Sequence, residues 1–183
     1  MVFSHFGEGE YEKSEMIIQG LLGINDTAVS SSIPSTRATT KQRTAETYLG
    51  YQRAKYFVSP EAGPRTEETI YSIPEDLASG QWGLEGRWIQ NAKDVESQGP
   101  GALEILFRAE KIYLVMEPVE GETYSEIRVT VNGEPANTPD MVDGKFICDE
   151  SRLYQLFDQR EAVEGIIRIE TSGPVRFFAF TFG

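Results

Sequence analysis

The sequence predicts a mainly β protein, an antiparallel β-sandwich of jelly-roll type with a short N-terminal helix. Short stretches of apolar/polar alternation follow one another through the second half of the chain. Turn signals rich in Gly, Pro and Asn separate them, and no helical periodicity appears after residue 80. A parallel sheet needs a crossover, usually a helix, between successive strands. Its absence leaves an antiparallel sandwich or jelly roll.

Residues 8–22 of "HFGEGEYEKSEMIIQGLLG" read as the helix, with Tyr11, Ile18, Leu21 and Leu22 on one side. Early acidic residues suit the helix dipole and Gly23 suits a C-cap. A helix this short is marginal alone in water and must dock on something. Residues 1–23 therefore form a helical appendage, and the Ser/Thr-rich stretch 24–46 reads as a linker or arm. Residues 47–183 are the sandwich.

Within it, Leu103, Ile105 and Phe107 alternate with polar residues in "ALEILFRA", and Ile112, Leu114 and Met116 share a face of "KIYLVMEP". Ile127, Val129 and Val131 do so in "SEIRVTVNGEP", where Asn132-Gly133 is a strong tight-turn signal. "SRLYQLF", "EGIIRIET" and "VRFFAFTFG" complete the set, the last with Phe178, Phe180 and Phe182 on one face.

With 39% hydrophobic residues, the chain can bury a core. Its net charge of −12 argues against nucleic acid, which calls for a basic footprint, and against anionic membrane surfaces. No stretch approaches the roughly 20 apolar residues of a membrane span. No basic-then-apolar leader is visible, so the chain as written reads as soluble. The single cysteine, Cys148 in "KFICDE", cannot form an internal disulfide or a Cys-x-x-Cys pair, and reads as a buried strand residue.

"HFGEGEYEKSEMIIQGLL", "TAETYLGYQRAKYFVSPE", "WGLEGRW", "VNGEP", "RLYQLF" and "FFAFTFG" follow one another in an order that resembles the C-terminal part of the DipZ-like family. Those are bacterial, cell-envelope-associated thioredoxin-like proteins related to thiol–disulfide exchange. The resemblance implies a thioredoxin-like domain joined to a β-sandwich similar to carbohydrate-binding modules. It implies that His5 to Gly9 and the helix correspond to the end of the thioredoxin-like domain. The redox Cys-x-x-Cys has no counterpart in these 183 residues, so the oxidoreductase chemistry maps to no residue here.

Protein sites for sugars combine aromatic faces with carboxylates, amides or Arg that bond the hydroxyls. The materials here are Tyr48, Tyr51 and Arg53 in "ETYLGYQRA", Trp82, Glu85 and Trp88 in "QWGLEGRW", Tyr113, and Arg152 with Tyr154 in "SRLYQLF". Structural roles compete at each. Trp82 and Trp88 share a face with Leu84, which favours a core. Tyr48 and Tyr51 suit a clasp between linker and sandwich, and Arg152 suits a carboxylate contact. Asp140 and Asp143 in "NTPDMVDGKF" suit a turn better than a Ca²⁺ loop. No catalytic residue, metal set or cofactor is assigned.

The leading expectation is a non-catalytic accessory module that binds carbohydrate. The alternative is a structural module whose N-terminal helix and arm dock on a neighbouring subunit to give a homo-oligomer.

Overall fold

The computed structural model describes residues 42–61, 66–121 and 124–183. These belong to a compact unit, Lys41–Gly183. The predicted helix with Tyr11, Ile18, Leu21 and Leu22, and nearly all of the predicted linker, lie outside the described residues.

The described residues contain strands and no helix. The strands are β1 (Thr47–Tyr48), β2 (Glu68–Tyr71), β3 (Trp82–Gln90), β4 (Val95–Pro118), β5 (Ser125–Val131), β6 (Glu134–Pro135), β7 (Lys145–Cys148), β8 (Arg152–Thr171) and β9 (Val175–Phe182). Every ladder between them is antiparallel.

Two long strands organise the sandwich. Residues Gly101–Ala109 of β4 pair with Val163–Thr171 of β8, and Lys111–Met116 pair with Arg152–Asp158. Between these blocks the register slips and the ribbon passes from one layer to the other. The first layer continues through β3 and β2 on one side and β5 and β7 on the other. The second runs β1, β9, the end of β4 and the start of β8. The layers face each other across aromatic contacts: Trp88 of β3 lies 5.5 Å from Phe177 of β9, and Phe146 of β7 stacks 5.0 Å from Tyr154 of β8.

The two alternating segments expected in β4 are thus one continuous strand. The crossing uses a β-bulge, in which the N–H groups of Glu110 and Lys111 both donate to the Gly183 carbonyl. One extra residue flips the parity of the side chains. Leu103, Ile105 and Phe107 are therefore buried before the crossing, and Ile112, Leu114 and Met116 after it. The Asn132-Gly133 turn is present with positive φ at both residues (52° and 84°), joining β5 to β6.

The reading of β9 needs correcting. Phe178 does not share a face with Phe180. Val115 pairs with Ala179 while the next β4 residue, Met116, pairs with Phe177, so Phe178 sits in a bulge. Phe177 and Phe180 are both buried in consequence, and Phe178 is only half-buried.

Candidate functional site

Several sequence candidates fold into the core. Trp82 and Trp88 are both 0% exposed. Trp88 Nε1 donates to the Glu85 carbonyl at 2.8 Å, and Trp82 Nε1 donates to the Lys55 carbonyl at 2.9 Å. With their polar edges satisfied internally, neither ring offers a face to a sugar. Tyr154 is fully buried too, its hydroxyl donating to the Glu150 carbonyl at 2.9 Å.

Arg152 and Tyr154 do share a face, but it is the inner one. Leu153, between them in sequence and on the opposite face, is the side chain left exposed, at 48%. The guanidinium of Arg152 lies 3.7 Å from the Tyr154 ring centre and pairs with Asp140 at 3.1 Å and Glu150 at 2.9 Å. Asp140 also accepts from the backbone N–H of Gln155 at 2.8 Å. This group closes the edge of the core and leaves Asp140 committed to protein partners. Among the described residues, no group of three or more His, Cys, Asp or Glu stands ready to hold a metal ion.

Beside Tyr154, burial pushes the Cys148 thiol up to about 11. It stays protonated near neutrality and is a poor nucleophile. Glu85 is exposed on the outside of the first layer, where it meets Arg168 at 3.1 Å. Arg168 also reaches Glu104 at 2.7 Å and Glu170 at 3.1 Å.

The remaining candidates gather elsewhere. In β1, Thr47 points inward and is buried, so Tyr48 points outward, paired with Ala179. After Leu49, which is buried, the chain makes one tight turn in which the N–H groups of Arg53 and Ala54 donate to the Gly50 carbonyl. That turn lies on the 91–94 turn: the Tyr51 N–H donates to the Asn91 carbonyl at 2.9 Å and the Gln52 N–H to Ala92 at 3.2 Å. Only glycine fits at residue 50, because a Cβ there would stand 2.1 Å from the carbonyl carbon of Lys93. The turn brings the Arg53 guanidinium back over Tyr48, 3.2 Å from the ring centre. Tyr51 itself is half-buried against this junction.

Trp82 sets the next two residues. Its indole N–H holds the Lys55 carbonyl, and its backbone N–H holds the Tyr56 carbonyl at 3.1 Å. Tyr56 has a φ of 60°, uncommon for a bulky residue, and is 65% exposed. The result is a cleft of about 440 Å³ lined by Glu46, Tyr48, Gln52, Arg53, Lys55 and Tyr56, among others. A second hollow of about 270 Å³ shares Tyr48, Gln52 and Arg53 with it and adds Lys93, Phe178 and Ala179.

The cleft opens onto the outer face of the second layer. Leu153, Val115, Ala179 and Tyr48 align across β8, β4, β9 and β1. Tyr113 lies on the same face, half-buried between Gln155 and Thr181. A strand spacing of about 4.8 Å and a rise of about 3.3 Å per residue put Tyr48 and Tyr113 about 12 Å apart along this face. The face therefore presents two aromatic side chains, with Arg53 over the first and Gln155 beside the second. Gln52, Lys55, Tyr56 and Lys93 were not singled out from the sequence. The density of aromatic and basic residues in "TYLGYQRAKY", within an acidic chain, was the available signal for the first three.

The chain resembles known proteins. Over 188 residues the chain is 26% identical to "Protein DipZ" of Mycobacterium bovis, and equally to "Protein DipZ" of Mycobacterium tuberculosis. The match covers 97% of this chain but 25% of each relative, so the chain spans about a quarter of their length. Among solved structures, a family two carbohydrate esterase from Cellvibrio japonicus is similar over 55% of this chain and 30% of its own, with 14% identity and a TM-score of 0.41. At that level of likeness the esterase's chemistry does not transfer. The family model described as "Thioredoxin like C-terminal domain" matches residues 44–183, from the first residues of the Tyr48 cleft to the end of β9, and the chain belongs to that family.

Proposed function

We propose that this chain is a non-catalytic accessory module that binds carbohydrate on the outer face of its second layer. The observation that carries the reading is the segregation of the candidates. Trp82, Trp88 and Tyr154 are buried, whereas Tyr48, Arg53 and Tyr113 lie on one surface together with Tyr56. Aromatic faces meet the apolar side of a sugar ring, and Gln52, Arg53 and Gln155 supply donors for its hydroxyls. The likeness to DipZ supports an accessory role within a larger thioredoxin-like protein. Cys148, buried and protonated, offers no thiol for exchange with a partner.

Calorimetry with a panel of soluble oligosaccharides tests the reading on the full chain. At least one glycan should bind, and Tyr113→Ala and Tyr48→Ala should each weaken it about tenfold, or 1.4 kcal/mol. Absence of binding across the panel, or binding that both variants leave unchanged, would overturn it. Leu153 and Val115 on the same face favour a second reading, distinct from docking of the N-terminal helix and arm: a contact between copies of the chain through this face. Light scattering that finds an oligomer dispersed by Leu153→Glu, with no glycan bound, would replace the first reading by that one.

A further inference from the structure

Charge at the Tyr48 cleft runs against the rest of the molecule. The chain carries −12 overall, and most arginines and lysines among the described residues are paired with carboxylates. Arg53, Lys55 and Lys93 are not, and all three border the cleft or the hollow that adjoins it. Glu46 is the carboxylate lining that space. Among the described residues, three cations that no carboxylate pairs thus meet in one place on an acidic protein, with Arg160 of β8 unpaired elsewhere.

Arg53 is also pre-positioned. Its guanidinium carbon lies 3.2 Å above the centre of the Tyr48 ring, and the Gly50 turn, held on the 91–94 turn, fixes the backbone that carries it. Stacking occupies the face of a guanidinium and leaves its in-plane N–H fork free. A planar fork held in place, with no acceptor among the described residues, matches a carboxylate, which it can bond bidentately. Because Arg53 covers one face of Tyr48, that ring acts partly as a support for the cation, and the exposed ring at the cleft is Tyr56.

We infer that the cleft recognises a carboxylate-bearing sugar, a uronate, with Arg53 gripping the carboxylate, Lys55 and Lys93 reinforcing the positive field, and Tyr56 meeting the ring. This rests on the carbohydrate reading above and narrows it to a ligand class.

The test compares three probes on the full chain by calorimetry: oligogalacturonate, the same oligomer fully methyl-esterified, and poly-glutamate. The acid should bind at least tenfold tighter than the ester, and its affinity should fall as salt is raised. Arg53→Gln should erase the difference between acid and ester. Lys55→Gln and Lys93→Gln should each reduce it a few-fold, with melting curves unchanged. Equal binding of acid and ester would overturn the inference and leave the carbohydrate reading standing. Equal binding of poly-glutamate would overturn it by showing that charge alone is read. A chain that binds neither oligomer but binds a neutral glycan refutes the uronate assignment, and one that binds no glycan at all refutes both readings.

Discussion

Two arginine-on-tyrosine pairs occur in this molecule, and they do different things. Arg152 stacks 3.7 Å from the centre of Tyr154, and Arg53 stacks 3.2 Å from the centre of Tyr48. Tyr154 has no exposed surface and its hydroxyl is bonded to the backbone. Its arginine spends its donors on Asp140, Glu150 and the Leu153 carbonyl. Tyr48 is half-exposed at the edge of a layer, and its arginine meets no carboxylate among the described residues. The same local motif closes a core in one place and displays a cation in the other. The residues around each pair, set by long-range topology, decide which.

The contrast can be broken most severely at the buried tyrosine. Tyr154→Ala removes a ring that stacks on Phe146 and supports Arg152, and should cost about 3–5 kcal/mol in denaturant unfolding. Tyr154→Phe keeps the ring and loses the bond to Glu150, and should cost about 1 kcal/mol. A small effect from the alanine variant would mean that the Arg152 pair does not close the core.

A smaller loss is expected at the hinge of the exposed pair. Gly50→Ala forces a methyl group onto the Lys93 backbone and should cost about 1–3 kcal/mol. It should also part the two turns that hold Arg53 over Tyr48. Glycan affinity in Gly50→Ala should then fall even at temperatures where the chain remains folded, measured by calorimetry beside a melting curve. Unchanged affinity would detach the cleft from that junction.

Much of the scaffold was legible in the sequence, because period-2 burial leaves a mark in every strand. Leu103, Ile105, Phe107, Ile112, Leu114 and Met116 are buried where alternation puts them. The bulges at Glu110 and Phe178 were not legible. Neither carries a Gly or Pro to mark it, and a bulge is defined by the partner strand. The face of "SRLYQLF" that turns inward was also undecidable locally, since Tyr154 and Leu153 can each be buried once Tyr154 finds an acceptor. The site was legible as materials and not as geometry. Tyr48, Arg53 and Tyr113 stood out by type, but Lys93 joins them only through the packing of Gly50 on a distant turn.

The most direct comparison truncates both arginines. Arg152→Ala removes two ion pairs and a stacked cation from the rim of the core and should cost about 1–2 kcal/mol. Arg53→Ala removes a cation that stabilises little and should change stability by less than about 0.5 kcal/mol. For ligand binding the order reverses: Arg53→Ala should abolish the preference for a uronate, and Arg152→Ala should leave it intact. Urea unfolding of both variants beside calorimetry with oligogalacturonate gives all of these quantities. If Arg53→Ala destabilised the chain as much as Arg152→Ala and left binding alone, the Tyr48 pair would be a structural clasp like its counterpart, and the cleft would lose its ligand-reading group.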